Sequence, residues 1–498
     1  LSSQDSSQID AKKAMFAGAL WTIAMRWGGK FLGLISTIIV ARLVLPEDFA
    51  VIAMAMLVVG LLEAFIDLGA ATALMREPNP SKHFIHSAWS MRLVQCICLS
   101  LLLCVLAYPA SLYFQEPKLV SVIWVLAFCT CLIGCNNIGL VLARKALNFS
   151  LDFRLMLCSK VLQVIATIAA AFYFGDYRAL ITGVVVGYVA ATALSYVMHP
   201  YRPWFSTQAW PQIWQFSKWL VLANTASYLL RKLDQIVAGR MANSHVFGLY
   251  NVGADIGELP TSQLGPAILK SLLPVLSSIQ DDMQRVNRGV LKVMAILNSL
   301  TLPAGFGTAA IAQPLGLMLL GPTWQGATPF IALFAICSAL KVAPKPLSSL
   351  LILRGYSKNQ SSILWLELSS FVIAALLLVP EFDIFGLVYA RIFAATIIIL
   401  AFCYQAYIKC GLPFASPIVY ILRPLLLSIC MFLLINLTLN HLQTDLLWLQ
   451  LLVAISLGAV SYTLMMLISW WGCGKPEGLE MEIFNWLKKQ RNKGAKTC

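Results

Sequence analysis

The chain reads as an all-α integral membrane protein of about fourteen transmembrane helices, and three observations predict this. Only 12% of its 498 residues are charged and 59% are apolar, about half the charged share usual in soluble proteins. The apolar residues fall into blocks of about 20 or more, enough for a helix to cross a hydrocarbon layer of about 30 Å. In lipid such blocks must be helical, because each segment has to satisfy its own backbone polar groups. Third, Lys and Arg collect on alternate connections, the pattern of cytoplasmic loops in inner-membrane proteins. A mean hydropathy of +0.78 excludes a large soluble domain, and the net charge of +14 is explained by those loops without nucleic acid.

The blocks predict spans at 14–40, 49–75, 86–113, 119–143, 155–174, 179–198, 213–239, 246–276, 289–320, 325–353, 360–379, 384–408, 418–439 and 446–471. Connections are short and marked by Pro or Gly, as at Pro117, Gly175, Pro200, Pro322, Gly355 and Pro413, the residues that end helices or turn chains. The 289–320 block is long, and Pro303 with Gly305 and Gly307 predicts a break inside it. No connection is long enough to hold an extramembranous enzyme domain.

Residues 1–13 read as a polar cytoplasmic segment rather than a cleavable leader, and an even number of spans puts both termini on one side. That side holds Lys12, Lys13, Arg76, Lys82, Arg144, Lys145, Arg154, Arg202, Arg285, Arg288, Arg354, Lys358, Lys409 and the tail's Lys475, Lys488, Lys489, Arg491, Lys493 and Lys496. The other side holds Arg42, Lys118, Arg178 and Arg240 beside acids such as Glu47, Asp48, Glu116, Glu381 and Asp383. Both termini are therefore expected in the cytoplasm. The basic tail, 475–498, carries Leu479, Ile483, Trp486 and Leu487 on roughly one helical face, which suits either a helix on an anionic membrane surface or a solvated tail.

The chain repeats itself. Trp21, Arg42 and Phe49 recur at one offset as Trp219, Arg240 and Phe247, six spans later, so the same topology appears twice in parallel. Transporters built from repeats bind substrate between them. The expected division is an N-lobe of six helices at 14–198, an inter-lobe loop at 199–212, a C-lobe of six helices at 213–408, and two additional helices at 418–471.

A charge near the centre of a membrane helix costs about 2.5–3.5 kcal/mol on insertion scales and needs a cavity or a partner. Span 1 sets Arg26, Lys30, Gly33 and Thr37 on one face; its counterpart, span 7, sets Asn224, Tyr228, Arg231 and Gln235 on one stripe, with Lys232 and Asp234 beside it. Span 2 carries Glu63 and Asp67, and its counterpart carries Asn251, Asp255, Glu258 and Ser262 at helical spacing. Lys270, Lys341, Lys345, Glu367 and Arg391 add to the set. Such charges either pair to hold bundles together or line a hydrated cavity. The excess of Arg26, Lys30, Arg231, Lys232, Lys270, Lys341, Lys345 and Arg391 suits a phosphate-bearing substrate, since Arg supplies a bidentate fork and Lys a point charge. Lys341, Pro344, Lys345 and Pro346 predict either a packing kink or a cavity wall inside span 10.

The thirteen cysteines lie mostly inside spans, so no disulfide framework is expected. Cys129, Cys131 and Cys135 share one apolar span and read as core; His83 and His86 read as ordinary loop histidines. No metal or cofactor is expected. The pattern GxxxxGK[ST], which cradles nucleotide phosphates, is absent, leaving a proton or sodium gradient, or downhill consumption of product on the far side, as the energy source. Glu63, Asp67, Asp234, Asp255 and Glu258 are the ion-coupling or ion-pair candidates: Asp234 beside Arg231 and Lys232 as a partner, Asp255 with Glu258 as the proton site.

Several runs together carry a family resemblance. Ala41-Arg42-Leu43, Leu45-Pro46-Glu47-Asp48-Phe49 and Asp67-Leu68-Gly69 open the chain. Asp234, Gly239-Arg240, Phe247-Gly248-Leu249-Tyr250 and Pro274 answer them in the second half. Leu320-Gly321-Pro322-Thr323-Trp324 and Arg354-Gly355-Tyr356-Ser357 follow. Over residues 14–410 the chain resembles the Wzx-type polysaccharide flippases, and within them the WzxC-like lipopolysaccharide and exopolysaccharide exporters, of the multidrug/oligosaccharidyl-lipid/polysaccharide (MOP) superfamily. Ala50 departs from the family's usual Gly.

The resemblance implies a V-shaped pair of six-helix lobes worked by alternating access. It implies a polyprenyl-diphosphate-linked oligosaccharide as substrate, carried from the cytoplasmic to the periplasmic face of a bacterial inner membrane. Membrane lipids and the polysaccharide polymerase and export machinery are the implied partners. Two rival readings remain. A multidrug or cation antiporter of the same superfamily would use the acids, but the excess of cations repels such a substrate. A membrane-embedded polymerase or glycosyltransferase needs catalytic groups on sizeable outward loops, which the chain lacks.

Overall fold

The computed structural model describes Trp21 and residues 24–25, 27–66, 70–77, 79–146, 148–277, 282–442, 444, 446–472 and 480–481. Among the described residues the regular structure is helical, with no strand. The helices are α1 (Trp27–Ala41), α2 (Pro46–Ile66), α3 (Ala70–Arg76), α4 (Lys82–Phe114), α5 (Leu119–Gly134), α6 (Gly139–Lys145), α7 (Phe149–Phe174), α8 (Tyr177–Met198) and α9 (Trp210–Met241). They continue with α10 (Ser244–Gly257), α11 (Leu259–Ser277), α12 (Met283–Ala310), α13 (Ala312–Leu320), α14 (Thr328–Val342), α15 (Lys345–Leu353), α16 (Ser357–Cys410), α17 (Ala415–His441) and α18 (Leu447–Gly472).

These helices account for the fourteen expected spans, several of them broken. Eight are long and apolar enough to cross a membrane by composition alone, and α5 with α6 makes a ninth, bent by 58°. The chain is thus a multi-pass membrane protein. α1, α2, α9 and the α10–α11 pair fall outside that set, and intramembrane charges occur both on them and on helices within it, such as Arg92 of α4 and Arg391 of α16. The outer helices meet lipid with bare apolar side chains, such as Val197, Leu376 and Ile468.

Local chemistry sets the helix ends. The Ser81 hydroxyl accepts from the Phe84 N–H at 3.1 Å, and an Asp282 carboxylate oxygen accepts from the Arg285 N–H at 3.0 Å, each satisfying an amide that a helix start leaves open. Gly175 ends α7 in the left-handed region at φ 65°, a conformation without penalty only for glycine.

Two expectations are corrected. The break in the 289–320 block falls at Ile311, between α12 and α13, not at Pro303, which lies inside α12. Pro303 removes one N–H, and the helix tolerates that loss because neighbouring helices pack around it. His83 and His86 lie in the first turns of α4, not in a loop. The 360–379 and 384–408 spans meet at Asp383, whose φ of 47° and ψ of −133° end one arm of α16 and start the next.

Packing divides the chain into two compact units, Leu1–Gly248 and Leu249–Cys498. In the first, α1 and α7 share a core of Val40, Val44, Ala170 and Ala171, α7 pairs with α8, and α9 packs on α2, α3 and α4. A Cβ on Gly248 would strike the Pro46 carbonyl, so the glycine kept in the second repeat is a contact requirement. In the second unit, α12 is the central helix, packed on α11, α14 and α17.

Within the first unit the segment after α8 is stitched down. Asn137 Nδ2 donates to the His199 and Tyr201 carbonyls at 3.2 and 2.8 Å. His86 Nδ1 accepts from the Trp204 N–H at 3.0 Å, and Ser90 Oγ accepts from the Ser206 N–H at 2.8 Å. Burial, with the Arg202 charge next to it, holds the His199 imidazole below the usual histidine range. The folded segment therefore binds fewer protons there than the unfolded chain, and its stability falls as pH drops through about 6.5. The Tyr201 N–H donates to His199 Nδ1 at 3.2 Å. Its amide exchange, corrected for intrinsic rate, is expected to be level above pH ~7 and to accelerate below ~6.5; a level profile throughout contradicts this account.

Candidate functional site

The first unit encloses a cavity of about 680 Å³ among α2, α4, α5, α6 and α9. α2 contributes Gly60 and Glu63, α4 contributes Arg92 and Gln95, α5 contributes Thr130, and Arg144 reaches in from α6. α9 contributes Asn224, Ser227, Tyr228 and Arg231. Residues 224, 228 and 231 are spaced at i, i+4 and i+7, so one helical stripe meets the cavity. The wall is locked in place from α9: the Tyr228 hydroxyl donates to the Leu57 carbonyl at 2.7 Å, and the Thr225 hydroxyl donates to the Ala64 carbonyl at 3.1 Å. Gly60 makes this possible, since a Cβ there would lie 2.7 Å from the Tyr228 ring.

Among the described residues the lining charges are three arginines and one glutamate. Arg144 is ion-paired with the buried Asp152, and Arg92, Arg231 and Glu63 line the same space. Two guanidinium forks in a cavity walled by apolar helices are suited to a bidentate anion such as a phosphate.

The other candidates scatter. Arg26, Asp67 and the side chain of Lys270 lie outside the described residues. Lys30 is exposed on α1, and Lys345 and Asp255 are exposed in the second unit. Lys232 donates to Gln235 on its own helix at 2.8 Å, and Asp234 is buried. In the second unit Lys341 pairs with Glu367 at 3.2 Å. Arg391, buried over the Phe334 ring, lies 3.9 Å from Glu258, at the break between α10 and α11. Cys129, Cys131 and Cys135 are free thiols, and among the described residues no group of His, Cys, Asp and Glu could hold a metal ion.

Sequence reasoning missed Arg92, Gln95 and Arg144 as cavity residues. Arg92 was visible as an arginine inside the 86–113 block; Arg144 had been counted among the loop cations. It also missed a buried pair in the second unit. Arg423 of α17 donates to Glu480 at 2.6 Å, to the Ser469 hydroxyl at 2.9 Å and to the Met466 carbonyl at 3.0 Å. Glu480 is 7% exposed there, beside an open apolar pocket of about 310 Å³.

Solved structures share this fold. The lipid II flippase MurJ, in an inward closed conformation, superposes with a TM-score of 0.72, covering 91% of this chain and 99% of that one at 15% identity. An inward-facing multidrug resistance MATE family transporter of the MOP superfamily superposes with a TM-score of 0.58, covering 81% and 95% at 13% identity. The chain therefore has the fold of these two solved structures. The profile of the polysaccharide biosynthesis protein family matches residues 39–329; the chain belongs to that family. Among curated relatives, the succinoglycan biosynthesis transport protein ExoT of Rhizobium meliloti is 22% identical over 90% of this chain and 92% of its own. The lipopolysaccharide biosynthesis protein WzxC of Escherichia coli is 21% identical over 69% and 71%.

Proposed function

We propose that the chain is a flippase that carries a polyprenyl-diphosphate-linked oligosaccharide across the bacterial inner membrane for exopolysaccharide or lipopolysaccharide assembly. The observation that carries this reading is the arginine cavity: Arg92 and Arg231 on different helices line about 680 Å³, with one glutamate among the described lining residues. A diphosphate satisfies both forks, whereas a cationic drug meets repulsion in low dielectric. The family and the relatives named for polysaccharide biosynthesis agree with that choice of cargo. Polysaccharide polymerase and export machinery are the proposed partners downstream.

Both termini are proposed to face the cytoplasm, from the bias of roughly nineteen Lys and Arg against four on alternate loops. Thiol labelling of intact cells with an impermeant maleimide is expected to leave Cys498 unmodified in a variant whose other cysteines are removed. Efficient labelling there reverses the topology.

Coupling to a proton or sodium gradient is proposed through the intramembrane carboxylates. Asp255 and Glu258, three residues apart at the end of α10, are together the carboxylates proposed to take up the ion. Vesicles loaded with lipid-linked oligosaccharide and carrying the purified protein test both statements. Wild type is expected to flip the substrate and to slow at least severalfold with an uncoupler, and Asp255→Asn to be slow with or without it. No flipping by wild type overturns the function; uncoupler-insensitive flipping overturns only the coupling.

A further inference from the structure

α1 and α7 run side by side in step. Trp21 and Phe153 lie with ring centroids 4.9 Å apart. A Cβ on Gly29 would lie 3.4 Å from Met156 Sδ, and Val40 and Val44 share a core with Ala170 and Ala171. That register puts Lys30 of α1 beside Lys160 of α7, close enough for their charges to repel. Lys160 is a half-buried side chain, roughly 16 Å along α7 from Phe149 at 1.5 Å per residue, well inside the membrane. Lys160 Nζ donates to Gln163 Oε1 at 3.1 Å, and Gln163 is itself wedged against Gly187 of α8, where a Cβ would lie 3.1 Å away.

Two ammonium groups at this depth are costly, and α1, α7 and the neighbouring α8 supply no counter-charge to them. α1 and α8 contain no acidic residue, and the one carboxylate of α7, Asp152, is taken by Arg144. Neither lysine lines the arginine cavity. Lysine presents a compact point charge with three donors rather than a planar fork, so the pair is built for a small anionic group approached from one side.

We propose that Lys30 and Lys160 form a second anion-binding site, separate from the Arg92–Arg231 cavity, which holds an anionic group of the transported molecule during its passage. The inference rests on the flippase reading. The anion has two possible sources with one chemistry: the diphosphate itself, or a carboxylate on the sugars it carries.

The test uses the purified protein in lipid nanodiscs, titrated with farnesyl diphosphate and separately with trigalacturonate, which has carboxylates and no phosphate. Lys30→Gln and Lys160→Gln are each expected to weaken one of the two probes about tenfold, the loss of one charge-assisted hydrogen bond. Lys160→Arg, which keeps the charge and loses the compact head, is expected to fall between wild type and Lys160→Gln. The probe that weakens identifies the source. If Lys160→Gln does not elute as folded protein, Lys30→Gln, on an exposed side chain, reads the same site. Wild-type affinity for both probes in the lysine variants, with farnesyl diphosphate lost in Arg231→Ala, overturns the lysine site and leaves the proposed function standing. Binding of neither probe by wild type counts against both.

Discussion

Arg231→Ala is expected to abolish glycan export while the protein stays in the membrane at its normal level. The arginine lines the cavity and the helix carrying it is fastened independently, through Tyr228 and Thr225 to α2, so truncating the guanidinium leaves the wall standing. Losing a hydrogen bond to a charged group costs about 1.5–3 kcal/mol, so farnesyl diphosphate is expected to bind at least about tenfold more weakly. Arg92→Ala should match it. The double variant should fall short of the summed losses, because two forks on one diphosphate act as a unit. Arg231→Lys, which keeps charge and loses the fork, should land between. Export lost together with the protein would instead make Arg231 a structural cation.

Glu480→Ala is expected to cost about 3–5 kcal/mol, because it leaves the Arg423 guanidinium buried without its carboxylate. Ser469 and the Met466 carbonyl would still accept from Arg423, but neither carries charge. The informative companion is Arg423→Leu with Glu480→Leu. Replacing a buried pair by apolar side chains is often neutral or stabilising, so the double variant should melt within about a degree or two of wild type, as for a change well below 1 kcal/mol. Thermal unfolding in detergent by tryptophan fluorescence reads both. A double variant as unstable as Glu480→Ala would show that the pair stabilises through its charges and not merely by being complete.

The spans were legible because each is a run of apolar residues, a local property that survives any arrangement. The breaks within them were not. Whether a helix stops at Pro303 or continues to Ile311 depends on the neighbours packed around it, the α5–α6 break carries no proline, and only Pro260 marks the α10–α11 break. The polar stripe of α9 was readable from 3.6-residue periodicity, and three of its residues do line the cavity. Arg92 and Gln95 share one face of α4 with Cys96 and Leu99, a stripe with two polar members inside a largely apolar block. Lys160 is identified only by its register against α1, and Glu480 only by a contact 57 residues away in sequence. Pairings between distant segments are the part that composition and spacing do not encode.

The cavity's walls come from both sides of the sequence repeat. Gly60, Glu63, Arg92 and Thr130 belong to the first copy, whereas Asn224, Tyr228 and Arg231 stand on α9, the counterpart of the first copy's opening helix. If the two copies descend from one ancestral gene, that ancestor as a single chain lacked the wall that bears Arg231. It could have closed such a cavity only by lending its opening helix to a second molecule. On that account a pairing of identical subunits came first, fusion made the pairing permanent, and fusion also freed the two opening helices to diverge, one towards Lys30 and the other towards Arg231.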